Sequence, residues 1–322
     1  MMERVTAGEV DIANTDNIST ARRILLAGLL GGAVMAGPGN RAEAQVSSSV
    51  DPDPLQIYVN MLYTSVNYSQ TGFYADGDGG RRLGVDLIRA GELTGQPVIE
   101  AIGARPTPFN NEAARGRMNE LLDDLWNRLV GARRFLRGDA PGQRLVDLSP
   151  AVFTAMFRMA GAIGPSETFD PYLDEGNFIL GYFALTDFYP SALRGLTSMV
   201  KDGTVRAWWG GLASATGNNC ANLRALIVDL SAERPEMITM ADKISAWHNQ
   251  ISGMRGPDRR IWLSGANATL VANMMPTDAD GLVAPMLPAQ IFNILFMTSS
   301  AATQGGFFPN GVNGKINTSA TN

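Results

Sequence analysis

Between residues 110 and 137 apolar residues return at three- and four-residue steps. Met118, Leu121, Leu122, Leu125, Trp126, Leu129 and Val130 therefore share one face of a helix. Asn110 or Asn111 can cap its start. Acidic residues gather early, at Glu112, Glu120, Asp123 and Asp124, and Arg128, Arg133, Arg134 and Arg137 gather late, as the helix dipole favours. A second helix is expected from Ser149-Pro150, because Ser caps and Pro suits the first helical position, with Val152, Phe153, Met156, Phe157, Ala160 and Ile163 as its apolar set. Residues 176–200 carry the dense aromatic cluster Phe178, Tyr182, Phe183, Phe188 and Tyr189, interrupted by Pro190. Further helices are expected near 204–214, 219–233, 235–252 and 287–300. Leu223, Leu226, Ile227 and Leu230 line one, and Ile244, Trp247 and Ile251 line another.

Elsewhere the pattern changes. Residues 46–54 hold Pro52 and Pro54 among Ser and Asp and read as an extended linker. Over residues 55–68, Ile57, Val59, Met61 and Tyr63 alternate loosely with polar neighbours, which predicts a short strand or arm. Residues 76–80 form a glycine-rich turn, and 83–101 read as short strands or a short helix. Residues 305–322 are rich in Gly, Asn and Pro, which predicts an extended segment. The expected fold class is mainly α. A helical core over 55–304, with a small irregular or β portion near 55–100, stands between an N-terminal arm (1–54) and a C-terminal arm (305–322). No internal repeat or heptad run is present.

The N-terminal segment admits a second reading. Arg22-Arg23 precedes the weakly hydrophobic stretch 27–37 and an A-x-A site at Ala42–Ala44. These parts resemble a twin-arginine export signal with cleavage near Ala44, which would deliver a helical binding or accessory domain to the bacterial periplasm. Ala21 departs from the Ser or Thr usual beside the Arg pair.

Composition narrows the chemistry. The 322 residues are 45% hydrophobic and 18% charged, which excludes disorder throughout. No run of 18 apolar residues occurs, so no integral membrane role is expected. A single cysteine, Cys220, excludes an internal disulfide framework, and a single histidine, His248, excludes multi-His metal centres. His248 lies beside the apolar stripe of its helix and reads as a solvated or hydrogen-bonded residue. No G-x-S-x-G or Walker motif is present. Asp76 and Asp78 begin like a calcium loop, but Gly80 and Leu87 fall where later ligands are needed. The expectation is therefore no catalytic residues, metal site or cofactor.

A net charge of −5 argues against a strongly basic nucleic-acid binder. The cations are nevertheless almost all Arg, with only Lys201, Lys243 and Lys315 besides. Arg128, Arg133, Arg134 and Arg137 on one helix, and Arg255, Arg259 and Arg260 around a Gly-Pro turn, are the candidate contacts to RNA, DNA or a neighbouring subunit. With arms at both ends and no catalytic constellation, the expected role is a non-enzymatic, self-assembling coat or capsid-like subunit. Its partners would be copies of itself, and its place the virion.

Overall fold

The computed structural model describes residues 51–74, 101–265 and 269–322. Residues 1–50 of the expected N-terminal arm, with the export signal, lie outside the described residues, as do the glycine-rich turn at 76–80 and residues 83–100; Pro52–Pro54, expected in an extended linker, instead open a helix, because proline suits the first helical turn. Helix α1 spans Pro52–Gly72, α2 Glu112–Leu136, α3 Pro150–Met159, α4 Glu175–Thr186, α5 Tyr189–Leu196, α6 Gly203–Leu230, α7 Glu236–Ser252 and α8 Pro288–Phe296. A two-stranded antiparallel hairpin, β1 (Trp262–Ser264) and β2 (Leu270–Ala272), pairs Leu263 with Val271. The chain is mainly α, as its hydrophobic spacing predicts.

Helices α1, α2, α6 and α4 pack in a closed ring: α1 on α2, α2 on α6, α6 on α4, and α4 back on α1. This is a four-helix bundle, flanked by α7, which lies on α4, α6 and α8. The helix α2 starts where its cap predicts, with Ala114 N donating to the Asn111 side chain at 3.0 Å. Helix α4 is capped by Asp174, which accepts from Asn177 N at 2.8 Å. Pro190 begins α5 rather than interrupting a longer helix, because proline fits the first turn.

Two local expectations are corrected. Residues 55–68 are not a strand; they lie within α1. The alternation was misleading because the intervening polar positions are buried as well: Asn60, Thr64, Ser65 and Ser69 are all inside. Their hydroxyls turn back onto the helix, as Thr64 Oγ1 does to Met61 O at 2.8 Å and Ser69 Oγ to Val66 O at 2.9 Å. The pieces expected near 204–214 and 219–233 are one helix, α6, which runs through Gly210, Gly211 and Gly217 without a break.

The segment after α8 is irregular and closes on its own chain. Phe307 and Phe308 are buried, and Phe307 N donates to Leu295 O at 3.0 Å. Asn322, the last residue, donates from Nδ2 to Ile251 O at 2.9 Å. Among the described residues, no helix is long and apolar enough to cross a membrane.

Candidate functional site

Two buried polar clusters stand out in this body. The first is centred on Asp187, which follows α4 and is fully enclosed. Arg224 from α6 donates Nε to Asp187 Oδ1 at 2.9 Å, with Nη2 2.7 Å from the same oxygen. Arg259, from the loop before β1, places Nη2 2.8 Å from Oδ2. Ser245 Oγ on α7 also donates to Oδ2, at 2.9 Å. Arg224 Nη1 then reaches Arg259 O at 2.9 Å and Asn273 O at 3.0 Å, and Arg259 Nη1 reaches Ser191 Oγ on α5 at 3.0 Å. One carboxylate thus joins α4, α5, α6, α7 and both sides of the hairpin. Burial alone would raise its pKa; the two guanidiniums overcome that and hold the carboxyl well below the usual carboxylate range.

Cys220 and His248 border this cluster. The Cys220 thiol lies 3.6 Å from Asp187 Oδ1. Burial first, and then the Asp187 charge, push it up to about 12, so it remains a protonated thiol and a poor nucleophile. His248 is completely buried, against Phe188, and Nε2 faces Ala184 O at 3.0 Å. A carbonyl only accepts, so Nε2 carries the proton and Nδ1 is bare; Nδ1 has no partner. Burial lowers the ring's pKa to about 4, with Asp187 opposing and Arg259 and Arg224 adding to the effect. The ring is neutral at neutral pH. His248 was legible as a hydrogen-bonded residue but not as an interior one.

The second cluster is at the centre of the bundle. Arg128 on α2 is turned inward, 9% exposed. Its Nη1 donates to Thr216 Oγ1 on α6 at 3.4 Å, and its Nη2 to Asp124 Oδ2 one turn earlier at 3.5 Å. With the Asn219 amide turned so that both its ends are satisfied, its oxygen accepts from Nη2 at 3.1 Å. Tyr58 from α1 and Tyr182 from α4 lie within electrostatic reach of the guanidinium. Burial raises both phenols above their ordinary range, so both stay protonated. All four bundle helices contribute a polar group.

The arginines selected from sequence divide by burial. Arg128, Arg133 and Arg259 are interior; Arg133 Nη1 donates to Pro141 O at 2.8 Å and to Tyr63 OH. Their guanidiniums are turned into the fold rather than presented at its surface. Arg134, Arg137, Arg255 and Arg260 are exposed, and Arg260 forms an ion pair with Asp258. The helix-dipole pattern found the cluster on α2. Spacing gave no sign of which arginines turn inward, since guanidiniums are rarely buried and only their partners, distant in sequence, make it affordable.

No family model matches this chain, and no solved structure matches it. It is 22% identical, over 223 residues, to the ferritin-like catalase Nec2 of Nesocodon mauritianus, a match covering 66% of this chain and 72% of that protein. This likeness overturns the expected coat or capsid role: the similarity runs to an enzyme-named, ferritin-like protein. The residues of the expected C-terminal arm are engaged within the chain, with Phe307 N, Ala320 O and Asn322 Nδ2 all bonded to the helical body.

Proposed function

We propose that this chain is a ferritin-like helical-bundle protein that has exchanged a dimetal centre for an arginine–tyrosine core, and that it does not carry out metal-based peroxide disproportionation. The ferritin-like reading is supported by the closed ring of α1, α2, α6 and α4 together with the likeness to a protein of that name. Dimetal carboxylate proteins of this architecture place a Glu on each of two helices and a Glu-x-x-His pair on each of the other two. The residues here do not fit that group. The chain has one histidine, so two such pairs cannot be assembled. Ser245 stands three residues before His248, on α7 and outside the ring. Among the described residues, no group of three His, Cys, Asp or Glu side chains is suited to a metal ion.

The observation that carries the reading is the inward guanidinium of Arg128. A buried cation facing into the bundle, with the protonated phenols of Tyr58 and Tyr182 in electrostatic reach, repels a second cation instead of trapping it. The test is oxygen evolution from hydrogen peroxide by the purified full chain, before and after incubation with Fe(II) or Mn(II), alongside its metal content. No oxygen above the buffer control and less than one metal per ten chains is expected. Turnover that rises with bound metal would overturn the reading and align the chain with its catalase-named relative.

A further inference from the structure

The hairpin presents a strand edge to solvent. Gly265 N donates to Thr269 O at 2.7 Å and Asn273 N to Ile261 O at 2.9 Å. With Leu263 opposite Val271, the bonded pairs of β1 and β2 are therefore 261–273, 263–271 and 265–269. In an antiparallel ladder the residues between bonded pairs turn their N–H and C=O away from the partner strand. On β2 these are Leu270 and Ala272, and among the described residues none bonds to their backbone groups. All of β2 is exposed, Leu270 at 70% and Val271 at 48%. The other strand lies inward: Trp262 of β1 packs against the core, and Ile261 N just before it donates to Asp242 Oδ1 at 2.6 Å. Exposed edges in folded proteins commonly carry Lys, Pro or a bulge that discourages pairing, and β2 carries none of these. Residues 261–277 hold no ionisable side chain, so a copy of this strand brought alongside meets no like charge.

We propose that β2 is the contact strand of a two-fold dimer, in which the β2 strands of two copies of this chain pair antiparallel about Val271. The register follows from the outward-facing groups. Leu270 of one copy and Ala272 of the other exchange backbone hydrogen bonds on either side of the axis, and the two Val271 residues face each other across it as a non-bonded pair. A large side chain then meets a small one at Leu270 and Ala272, and two β-branched side chains meet at the axis. The two hairpins become one antiparallel sheet that spans the copies. Because the contact is isologous and uses up the free edge of β2, it closes at two copies. It is also small. A strand of three residues buries far less than the roughly 1,000 Å² of a stable interface, so the dimer is weak and forms as concentration rises. The contact is separate from the residues of the bundle centre and holds whether or not the bundle binds metal.

The experiment is sedimentation velocity of the full chain over a concentration series from micromolar to millimolar. The sedimentation coefficient should rise with concentration towards that of a dimer. Val271→Lys and Val271→Glu each set like charges against one another at the axis, and each should weaken association at least about tenfold. An equimolar mixture of the two variants should restore association, because Lys then faces Glu; a variant that had merely lost its fold would show no such rescue. Circular dichroism checks that both variants are folded. Wild-type association that neither variant weakens would place the contact on another face and overturn the proposal, and a mixture that stays monomeric would overturn the register at Val271. A wild type that stays monomeric throughout the series would also overturn it. Amide exchange at Leu270 and Ala272 then separates the causes: protection would show that another part of the same chain covers the strand, and free exchange that nothing does.

Discussion

His248 is held neutral first by its burial; Asp187 opposes that effect, and Arg259 and Arg224 add to it. In the unfolded chain the ring titrates near its ordinary 6.5; in the fold it does so at about 4. Between these values the unfolded state binds more protons, so stability should be full above about pH 6.5 and fall as pH drops towards 4. Asp187, held low by its two arginines, keeps its charge throughout that window. The urea midpoint of the wild type should therefore decline between about pH 7 and 4.5, and the decline should be shallower in His248→Gln. Equal slopes for the two proteins would show that other groups set the acid response. None of this was legible in sequence: His248 sits beside the stripe of Ile244, Trp247 and Ile251. The second buried face of α7, with Ala241, Ser245, His248 and Ser252, exists because α4, α6 and α8 enclose it.

The elements differ in how openly their residues announced them. Helix α2 has one buried stripe, acidic residues before basic ones and an Asn cap, and each of these signals is local. Helix α1 has no such contrast. It is buried on nearly every side, so its polar residues mark no outer face and period counting returns a false alternation. Helix α6 was divided by its glycines, which carry a propensity penalty in any sequence reading. The structure shows that Gly210 and Gly211 are exposed and that a Cβ at either would meet nothing within 4 Å. Neither has a positive φ. Gly210→Ala and Gly211→Ala should each raise stability by roughly 0.5–1 kcal/mol, read as a higher melting temperature. Gly195 is the contrasting case. There α5 approaches the backbone before α8 so closely that a Cβ would fall 1.7 Å from Met286 O, and alanine should destabilise. A destabilised Gly210→Ala would mean that this face of α6 is covered by something in solution.

At the scale of the molecule, the C-terminal segment decides between an assembly arm and a structural strap. An arm engaged by neighbours can be removed while the helical body stays folded. The contacts here run the other way. Phe307 packs against Phe153 with ring centroids 5.3 Å apart, and Asp147 N donates to Phe307 O at 2.9 Å. Two interior amides depend on the tail: Asn60 Nδ2 donates to Asn313 O at 2.7 Å, and Asn293 Nδ2 to Ala320 O at 2.8 Å. Ending the chain after Gln304 exposes Phe153 and removes partners from Asn60 and Asn293. It also discards Phe307 and Phe308, each worth roughly 1.5–3 kcal/mol of burial. Set against a total stability of about 5–15 kcal/mol for a typical domain, that loss is decisive. The truncated chain should lose its cooperative melting transition and much of its helical circular dichroism. Removal of Thr321 and Asn322 alone, which costs chiefly the bonds to Ala301 N, Ser299 O and Ile251 O, should leave a folded protein that melts a few degrees lower. A chain ending at Gln304 that melts like the full protein would return residues 305–322 to the role of a free arm.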